Sequence, residues 1–448
     1  MAPSDLGDGV RGRASRVPAS RFERLVQMGA TAGSMAASAM LGGARAILSG
    51  ETPELTGLLF TAGNAEALAD RLSKMRGAAM KLGQLLSLEG GAFLPPVLSE
   101  ALAILGSQAN RMTDGQLRRM LDREYGRGWR SRFDWFGDHP VAAASIGQVH
   151  RARARDGRSL AIKVQFPGVA DGIDSDVSNL ASLARLSGLV PSHFDLAPLI
   201  EEVRRQLLSE TDYVREGESL RRYRDLVGAD ERLCLPDAHA DLTTQRVLAM
   251  DYVSASPISA LWEKAASQAV RDRIGAIAQS LVMREIFDFR FMQSDPNFAN
   301  YLFEPREERL VLLDFGSMIE ISPELSERYR QLIRAAVDER PKAIEGLLLS
   351  FGWVGPEDAP RQIRGLADFI VAVAEPLRTV RPYDYGTSDL AERAQALGME
   401  LTFAEGLRRP PPPELVFIHR KLAGTFLLCA RLGARIPTGE MVEEILAS

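Results

Sequence analysis

The stretch from Phe291 to Gly316 constrains this 448-residue chain more than any other part of it. It holds Asp295 and Asn300 in the spacing D-x-x-x-x-N, and Asp314 then opens a D-F-G tripeptide after four apolar residues. Carboxylate and amide oxygens are the hard ligands that Mg2+ prefers, and bound Mg2+ can neutralise the charge of nucleotide phosphates. The stretch therefore predicts a magnesium site. A D-F-G alone also occurs where a turn closes a buried strand, so a second signal is needed.

A lysine in the middle of a predicted strand supplies that second signal. The run 159–165 is rich in β-branched and apolar residues, and Lys163 lies near its centre. An ammonium there must reach a charged partner or solvent, because burying it unpaired is unfavourable. Asp156-Gly157 just before the run predicts a hairpin turn. Strand, turn and lysine strand, followed by D-x-x-x-x-N and D-F-G, is the order found in protein kinases.

Composition excludes several classes of protein. The apolar fraction is 46% and the charged fraction 25%, which indicates a globular chain. The net charge is −5 without a basic tract, so nucleic acid is not an expected partner. The two cysteines, Cys234 and Cys429, lie far apart and argue against a disulfide framework. Only six of the 54 basic residues are lysines, and Lys81 and Lys163 among them fall in motifs, where a compact ammonium is useful.

The amino-terminal part of the chain predicts a tail followed by helices. Residues 1–20 lack apolar periodicity and are expected to be a flexible tail. Segment 25–44 carries no charge but is dominated by small residues, with Gly29 and Gly33 in a G-x-x-x-G. Two interpretations stay open. The segment is either a small-residue helix packed on a neighbour, or a flexible segment; or it is a helix that lies on or dips into a membrane, or makes a dimer contact.

The pattern as a whole predicts an α+β protein with a kinase-like, two-lobed fold. An amino-terminal helical domain is expected over 21–135, since apolar residues recur there at helical spacing. A kinase-like N-lobe is expected over 136–253, with inserted helices that include one continuous helical stretch over 196–226. A C-lobe with extra carboxy-terminal helices is expected over 254–448, with a long helix over 264–290. Asp251 and Val253 end the strand that leads from one lobe to the other, and are predicted to contact the nucleotide.

The inserted helices carry several glutamates that could pair with Lys163 in the way that the helix-C glutamate does in kinases. The residues alone do not choose among them, and most are expected to lie on solvated helix faces. The candidates are Glu201, Glu202, Glu210, Glu216 and Glu218.

Further motifs in the same order show that the chain resembles the UbiB family of atypical kinase-like proteins, in particular the branch with mitochondrial ubiquinone-biosynthesis members. The resemblance runs from about Val17 to the carboxy terminus. The family motifs are K-x-G-Q, an alanine-rich loop, a lysine strand followed by Q-x-P-G-V, E-x-D, D-P-N-x-x-N and D-F-G. In this sequence the motifs occupy, in the same order, Lys81 to Gln84, Ala142-Ala143-Ala144-Ser145, Lys163 to Val169, Glu210 to Asp212, Asp295 to Asn300 and Asp314 to Gly316. The resemblance also includes His419-Arg420-Lys421 near the end.

The resemblance implies a role for each motif. Lys163 would contact ATP phosphates and pair with Glu216, six residues after Glu210. Asn300 and Asp314 would hold Mg2+, and Asp295 would occupy the catalytic-loop position. The alanine loop, Ala142 to Ser145, would replace the glycine-rich loop that covers the nucleotide. The K-x-G-Q and E-x-D residues would fold over the place of a peptide substrate and line the active site; these are Lys81, Gln84, Glu210 and Asp212.

Two departures from ordinary kinases shape the expected activity. Gln293-Ser294, and not His-Arg, precede Asp295, and alanines restrict a loop in which glycines would let the backbone approach the phosphates. The resemblance therefore implies Mg2+-dependent ATP hydrolysis with weak or no transfer to proteins.

Expected partners are ATP or ADP, lipid or quinone-precursor ligands and ubiquinone-biosynthesis enzymes, with a homodimer as a further option. The alternatives are a nucleotide-sensing scaffold and a small-molecule or lipid kinase. The expected location is the cytoplasmic face of a bacterial inner membrane, or the mitochondrial matrix.

Overall fold

The computed structural model describes residues 111–186, 197–264, 266–401 and 411–447. They form two compact units. Among the described residues, the first unit contains those up to 186 and the ranges 197–218 and 237–253, and the second contains 219–236 and those from 254 onward. Lys81, Gln84 and segment 25–44 lie outside the described residues.

A five-stranded antiparallel sheet organises the first unit. The strand order is β1-β3-β4-β6, with β2 paired to the free part of β3. Asp156-Gly157 closes the hairpin between β3 and β4, where Gly157 adopts a positive φ of 93°. The strands are β1 (Phe133–Phe136), β2 (Ala142–Ala143), β3 (Gly147–Ala154), β4 (Ser159–Gln165) and β6 (Val247–Asp251), while β5 belongs to the second unit.

Helices of the first unit pack against this sheet or extend from it. Thr113 begins the first helix with a capping box, in which its hydroxyl accepts from the Gln116 backbone and the Gln116 side chain accepts from the Thr113 backbone. Met112, Leu121 and Trp129 join one apolar core with the strands. The helices are α1 (Asp114–Tyr125), α2 (Val169–Leu186), α3 (Ala197–Glu210) and α4 (Tyr213–Val227), of which α4 continues beyond 218 into the second unit.

Short strands of the second unit place the D-x-x-x-x-N and D-F-G motifs. The order β5-β10-β9-β7 forms one sheet, in which β9 and β10 are an antiparallel hairpin, and β8 pairs with β11. The strands are β5 (Leu233–Cys234), β7 (Ser256–Pro257), β8 (Phe291–Gln293), β9 (Tyr301–Glu304), β10 (Arg309–Leu312), β11 (Met318–Glu320), β12 (Tyr383–Asp384) and β13 (Arg435–Ile436).

The rest of the second unit is helical, around a core built from several helices and β8. The expected long helix over 264–290 begins at Gln268, and its last turn, Glu285–Phe289, is π-helical. Among the described residues, no helix combines the length and the apolar character needed to cross a membrane. The helices are α5 (Ala260–Glu263), α6 (Gln268–Arg284), α7 (Pro323–Val337), α8 (Pro341–Phe351), α9 (Pro360–Val373), α10 (Leu390–Met399), α11 (Pro413–Leu432) and α12 (Thr438–Ala447).

Candidate active site

Lys163 and Glu216 form a buried ion pair in the first unit. Lys163 lies on β4, which is covered on both faces, and its Nζ lies 2.8 and 3.0 Å from the two Glu216 carboxylate oxygens. The two residues are 5% and 2% exposed. Of the glutamates that the sequence left open, Glu216 therefore occupies the helix-C position. Bidentate contact offsets much of the desolvation of both charges, while an unpaired partner would be strongly unfavourable.

Tyr213 supports the ammonium of Lys163 from the first turn of the same helix. The Lys163 Nζ lies 5.0 Å from the centre of the Tyr213 ring, within the range of a cation–π interaction. The ring is fully buried, and its hydroxyl lies close to Gly147. A Cβ at Gly147 would stand 2.8 Å from that hydroxyl and 2.5 Å from the Val164 carbonyl oxygen. A side chain at position 147 would therefore force Tyr213 and β4 apart.

The alanine loop is partly a strand. Ala142 and Ala143 pair with Val149 and Gln148 of β3, and the Ala144 amide donates to the Gly147 carbonyl to close the turn. The Ser145 hydroxyl donates to the Glu210 carboxylate over 3.0 Å. Cross-strand pairing holds this backbone extended. The alanine backbone therefore has less conformational freedom than a glycine loop would have. The loop is thus connected directly to the E-x-D motif.

The E-x-D motif forms the break between α3 and α4, where the sequence pattern alone predicted one continuous helical stretch. The Asp212 carboxylate accepts from the Arg215 amide, and its carbonyl accepts from the Glu216 amide, so Asp212 caps α4. Gln165 donates to the Thr211 carbonyl over 3.0 Å and anchors the break to β4. Glu210 and Asp212 therefore hold the loop and Glu216 in place, and their predicted catalytic role stays a prediction.

Asp251 is the last residue of β6, as the sequence predicted for the connecting strand, but Val253 lies two residues beyond the end of that strand. The Asp251 carboxylate accepts from His239 Nε2 at 2.8 Å and from the Asp237 amide at 3.1 Å. The Asp251 amide donates to the Asp237 carbonyl. These bonds fix the strand end, and contact of Asp251 and Val253 with a nucleotide stays a prediction.

Asp295, Asn300 and Asp314 come together in the second unit. The Asn300 Nδ2 donates to the Asp295 carbonyl over 3.3 Å. The Leu313 amide donates to the Asn300 carbonyl over 3.2 Å, which places Asp314 beside Asn300. The Gln293 side chain also donates to the Asp314 carbonyl. The catalytic-loop segment and D-F-G are thus joined by hydrogen bonds from both sides.

The donor set of this group fits Mg2+. Asp314 offers a carboxylate, one oxygen of which also accepts from the Gly316 amide, and Asn300 offers an amide oxygen once its nitrogen has donated to Asp295. Mg2+ usually keeps several waters and takes one or two protein oxygens together with substrate phosphates. Within the described ranges there is no cluster of three or more His, Cys, Asp or Glu side chains suited to a metal. An all-protein metal cage is therefore not the arrangement that these residues form.

Sequence reasoning missed a chain of buried polar residues behind the alanine loop. The Met112 amide donates to Gln148, Gln148 Nε2 donates to His150 Nε2, and His150 Nδ1 donates to the Gly137 carbonyl. Burial lowers the pKa of His150 to about 4 and keeps the ring neutral. The alternation of β3 places Gln148 and His150 on the inner face, but the residue types gave no signal of the chain that they form.

Sequence reasoning also gave no role to a buried group in the second unit. Glu285 and Lys421 form an ion pair at 3.0 Å, with exposures of 0% and 2%. Lys421 donates to the Tyr301 hydroxyl, and Tyr223 donates to Glu285. Two signals were available: Lys421 is among the six lysines of an arginine-rich chain, and it ends the His419-Arg420-Lys421 that the family resemblance includes.

The first unit therefore carries a Lys–Glu pair whose lysine lies on an antiparallel sheet, and the second carries Asn300 and Asp314, whose side-chain oxygens are of the kind that fits a metal. These are the two parts of a protein kinase-like fold, with the glycine loop and the His-Arg before the catalytic-loop aspartate replaced. Residues 104–347 match the family described as "ABC1 atypical kinase-like domain".

Similar proteins agree with that match. The chain is 32% identical over 437 residues to "Atypical kinase COQ8, mitochondrial" of Saccharomyces cerevisiae, which covers 97% of this chain and 86% of the yeast protein. It is also 35% identical over 455 residues to "Atypical kinase coq-8, mitochondrial" of Caenorhabditis elegans. That alignment covers 97% of this chain and 58% of the longer worm protein. The chain belongs to the ABC1 atypical kinase-like family, which confirms the resemblance found in its motifs.

A solved structure supports the fold. The structure of the Rv3197–erythromycin complex from Mycobacterium tuberculosis has a TM-score of 0.59 to this protein. The sequence identity is 24%, and the match covers 85% of this chain and 95% of the other. The likeness concerns the fold alone.

Proposed function

We propose that this protein is a Mg2+-dependent ATPase of the atypical kinase class that supports ubiquinone biosynthesis at a membrane. The buried Lys163–Glu216 pair is the observation that carries the proposal. A helix-C pair of this kind positions a lysine for ATP phosphates. A protein that had lost nucleotide chemistry would have no chemical need for two buried charges here. The relatives named COQ8 and the family motifs support the biosynthetic role.

Each residue of the candidate active site has a separate proposed role. Lys163 binds the phosphates, with Glu216 and Tyr213 orienting its ammonium. Asn300 and Asp314 supply oxygen ligands for Mg2+, which would neutralise the phosphate charge. Asp295 orients the attacking nucleophile at the catalytic-loop position. The alanine loop restricts the backbone that covers the phosphates, so the nucleotide binds with altered geometry and hydrolysis prevails over transfer to proteins.

Several features of the proposal rest on the sequence. Lys81 and Gln84 of K-x-G-Q are proposed to line the active site together with Glu210 and Asp212. Segment 25–44 is proposed to make a peripheral contact with the cytoplasmic or matrix face of a membrane, or to join two copies of the chain. Lipids or phenolic quinone precursors are proposed as ligands that stimulate turnover, and ubiquinone-biosynthesis enzymes as partners.

Phosphate release from Mg-ATP by the purified protein tests the proposal. Wild type is compared with Asp314→Asn, each with and without anionic liposomes that contain a phenolic quinone-precursor mimic. Asp368→Asn serves as the matched control, since Asp368 is an exposed aspartate of α9 in the same unit. We expect turnover in wild type and control, stimulation by the liposomes, and loss of turnover in Asp314→Asn.

Other results would contradict the ATPase proposal in different ways. Unchanged hydrolysis in Asp314→Asn would remove the metal site from the mechanism. Nucleotide binding by wild type without any turnover would favour a nucleotide-sensing scaffold. Transfer of labelled γ-phosphate to the precursor would favour a small-molecule or lipid kinase.

A further inference from the structure

Lys421 and Glu285 are buried charges that the proposed ATP chemistry does not use. Glu285 opens the π-helical turn after α6, and Lys421 lies on α11 near the carboxy terminus. Burial acts to lower the pKa of Lys421, but the nearby Glu285 carboxylate and Tyr301 raise it above its ordinary value, so the side chain is charged. Removing water from both charges is unfavourable, and hydrophobic residues could fill the same space. We therefore expect these two charged side chains to make a specific contact that hydrophobic residues could not make.

Both charges contact the segment that carries the metal ligands. The Glu285 carboxylate accepts from the amide of Gln293, two residues before Asp295, and from the Tyr223 hydroxyl at 2.7 Å. Lys421 Nζ donates to the Tyr301 hydroxyl over 3.2 Å. Tyr301 directly follows Asn300. The ion pair therefore supports the segment on both sides of Asp295 and Asn300.

Tyr301 also links this contact to the D-F-G motif. It opens β9 and pairs with Leu312 at the end of β10, two residues before Asp314. Its carbonyl accepts from the Ile258 amide. A displacement of Tyr301 would therefore move Asn300 directly, and would move Asp314 through the β9–β10 pairing.

The backbone of α11 lies against the same segment. A Cβ at Gly424 would stand 2.2 Å from the Cβ of Pro296, the residue after Asp295. Gly424 is one turn beyond Lys421, so the two residues face the same way on the helix. Helix α11 thus supplies one close backbone contact and one charged contact to residues 295–301.

We propose that Lys421 is a positioning residue, which acts with Glu285 and through Tyr301 to hold Asn300 and Asp314 in the arrangement that binds Mg2+. Helix α11 then supports the segment around Asp295, where an ordinary kinase has His-Arg before the aspartate and this chain has Gln293-Ser294. This inference rests on the proposed function for its metal. Its signature is a changed Mg2+ requirement, and not only a loss of stability.

The test measures the Mg2+ midpoint for binding of a fluorescent ATP analogue, together with thermal stability. Lys421→Met leaves Glu285 buried and unpaired and is expected to lower stability strongly. The double variant Lys421→Met/Glu285→Gln removes both charges, while the amide oxygen can still accept from Tyr223 and Gln293. We expect it to recover stability but to keep a Mg2+ midpoint raised by roughly ten-fold or more, as for other residues that support metal ligands.

Two further variants complete the design. Tyr301→Phe removes only the acceptor of the Lys421 bond and is expected to raise the midpoint in the same direction with little change in stability. Lys342→Met, at an exposed lysine of α8, is the control that should match wild type. A wild-type midpoint in the double variant, or in Tyr301→Phe if the double variant does not fold, would overturn the inference. Binding is measured separately from phosphate release, so absence of turnover in wild type would contradict the ATPase proposal alone.

Discussion

Two buried carboxylate–lysine pairs are the most informative single contacts in this protein, one in each unit. In each pair the lysine lies within reach of a tyrosine. Guanidinium groups are the common cation of this chain, yet both buried positions carry the smaller ammonium. The compact ammonium of a flexible lysine side chain fits a closed site that is too small for the planar guanidinium of arginine.

Replacing Glu216 by glutamine is expected to destabilise the first unit and weaken nucleotide binding together. The substitution leaves the ammonium of Lys163 buried without its countercharge, and loss of one partner of such a pair costs about 3 to 5 kcal/mol. Glu218→Gln is the matched control, since Glu218 is exposed two residues further along α4. Chemical denaturation and ATP-analogue binding measure both effects. Equal stabilities for the two variants would contradict the assignment.

His150 is expected to make the first unit less stable as the pH falls. Its folded pKa is about 4, lowered mainly by burial, against about 6.5 for an unfolded chain. Between these values the unfolded chain binds a proton that the folded one does not, so the free energy of unfolding falls with falling pH, by about 3 kcal/mol in full. Asp138 and Asp114 raise this pKa by smaller amounts, and His139 lowers it.

The pH dependence of unfolding tests this expectation between pH 7.5 and about 4.5. His150→Asn keeps a donor for the Gly137 carbonyl but cannot titrate, so its stability should fall less steeply with pH. Buried His419, with a pKa of about 4 for the same reason, supplies a similar dependence that remains in the variant. His139→Asn, at an exposed histidine, is the control. Identical slopes in His150→Asn and wild type would show that another group is responsible.

At the scale of elements, local patterns predicted the strands that carry the chemistry. The run 159–165 forms β4 with the predicted bounds, because its alternation and the preceding Asp156-Gly157 turn act over few residues. The break at 211–212 was not predicted, since the apolar periodicity continues across it. It forms because Asp212 caps α4 and Gln165 holds the Thr211 carbonyl.

Long-range contacts account for what the sequence could not predict about the site. Glu216 was one of five glutamates until the family spacing singled it out, because any helix face can carry an acidic residue. Glu285 and Lys421 meet only through the packing of α6 and α11, which are far apart in the chain. Residue type and spacing describe neighbours along the chain, and they do not determine which helices pack together.

The alanine loop is expected to set nucleotide preference. Ala142→Gly would loosen the extended backbone that pairs with Val149, because glycine reaches conformations closed to alanine. We expect a shifted preference between ATP and ADP, or the appearance of autophosphorylation, measured by analogue competition and by labelled phosphate on the protein. Ala240→Gly, at an exposed turn alanine of the same unit, is the control. A variant equal to wild type in both assays would refute the restricted-loop argument.

At the scale of the whole molecule, the proposed chemistry predicts that Mg-ATP binds the folded protein. A ligand that binds only the folded protein raises its stability by RT ln(1 + [L]/Kd), which is about 2.7 kcal/mol at a hundred times Kd. Saturating Mg-ATP should therefore raise the Tm of wild type. The size of the shift reports binding whether or not the nucleotide is hydrolysed.

Lys163→Met in the first unit and Asp314→Asn in the second are each expected to abolish most of this Tm shift. The first removes the cation for the phosphates, and the second removes a ligand of the Mg2+ that the nucleotide brings. Lys264→Met and Asp368→Asn are exposed controls of the same residue types and should keep the full shift. If Asp314→Asn kept the wild-type shift while Lys163→Met lost it, the proposed role of Asp314 as a ligand of the nucleotide-bound Mg2+ would be wrong, because loss of a metal ligand must lower the affinity for Mg-ATP.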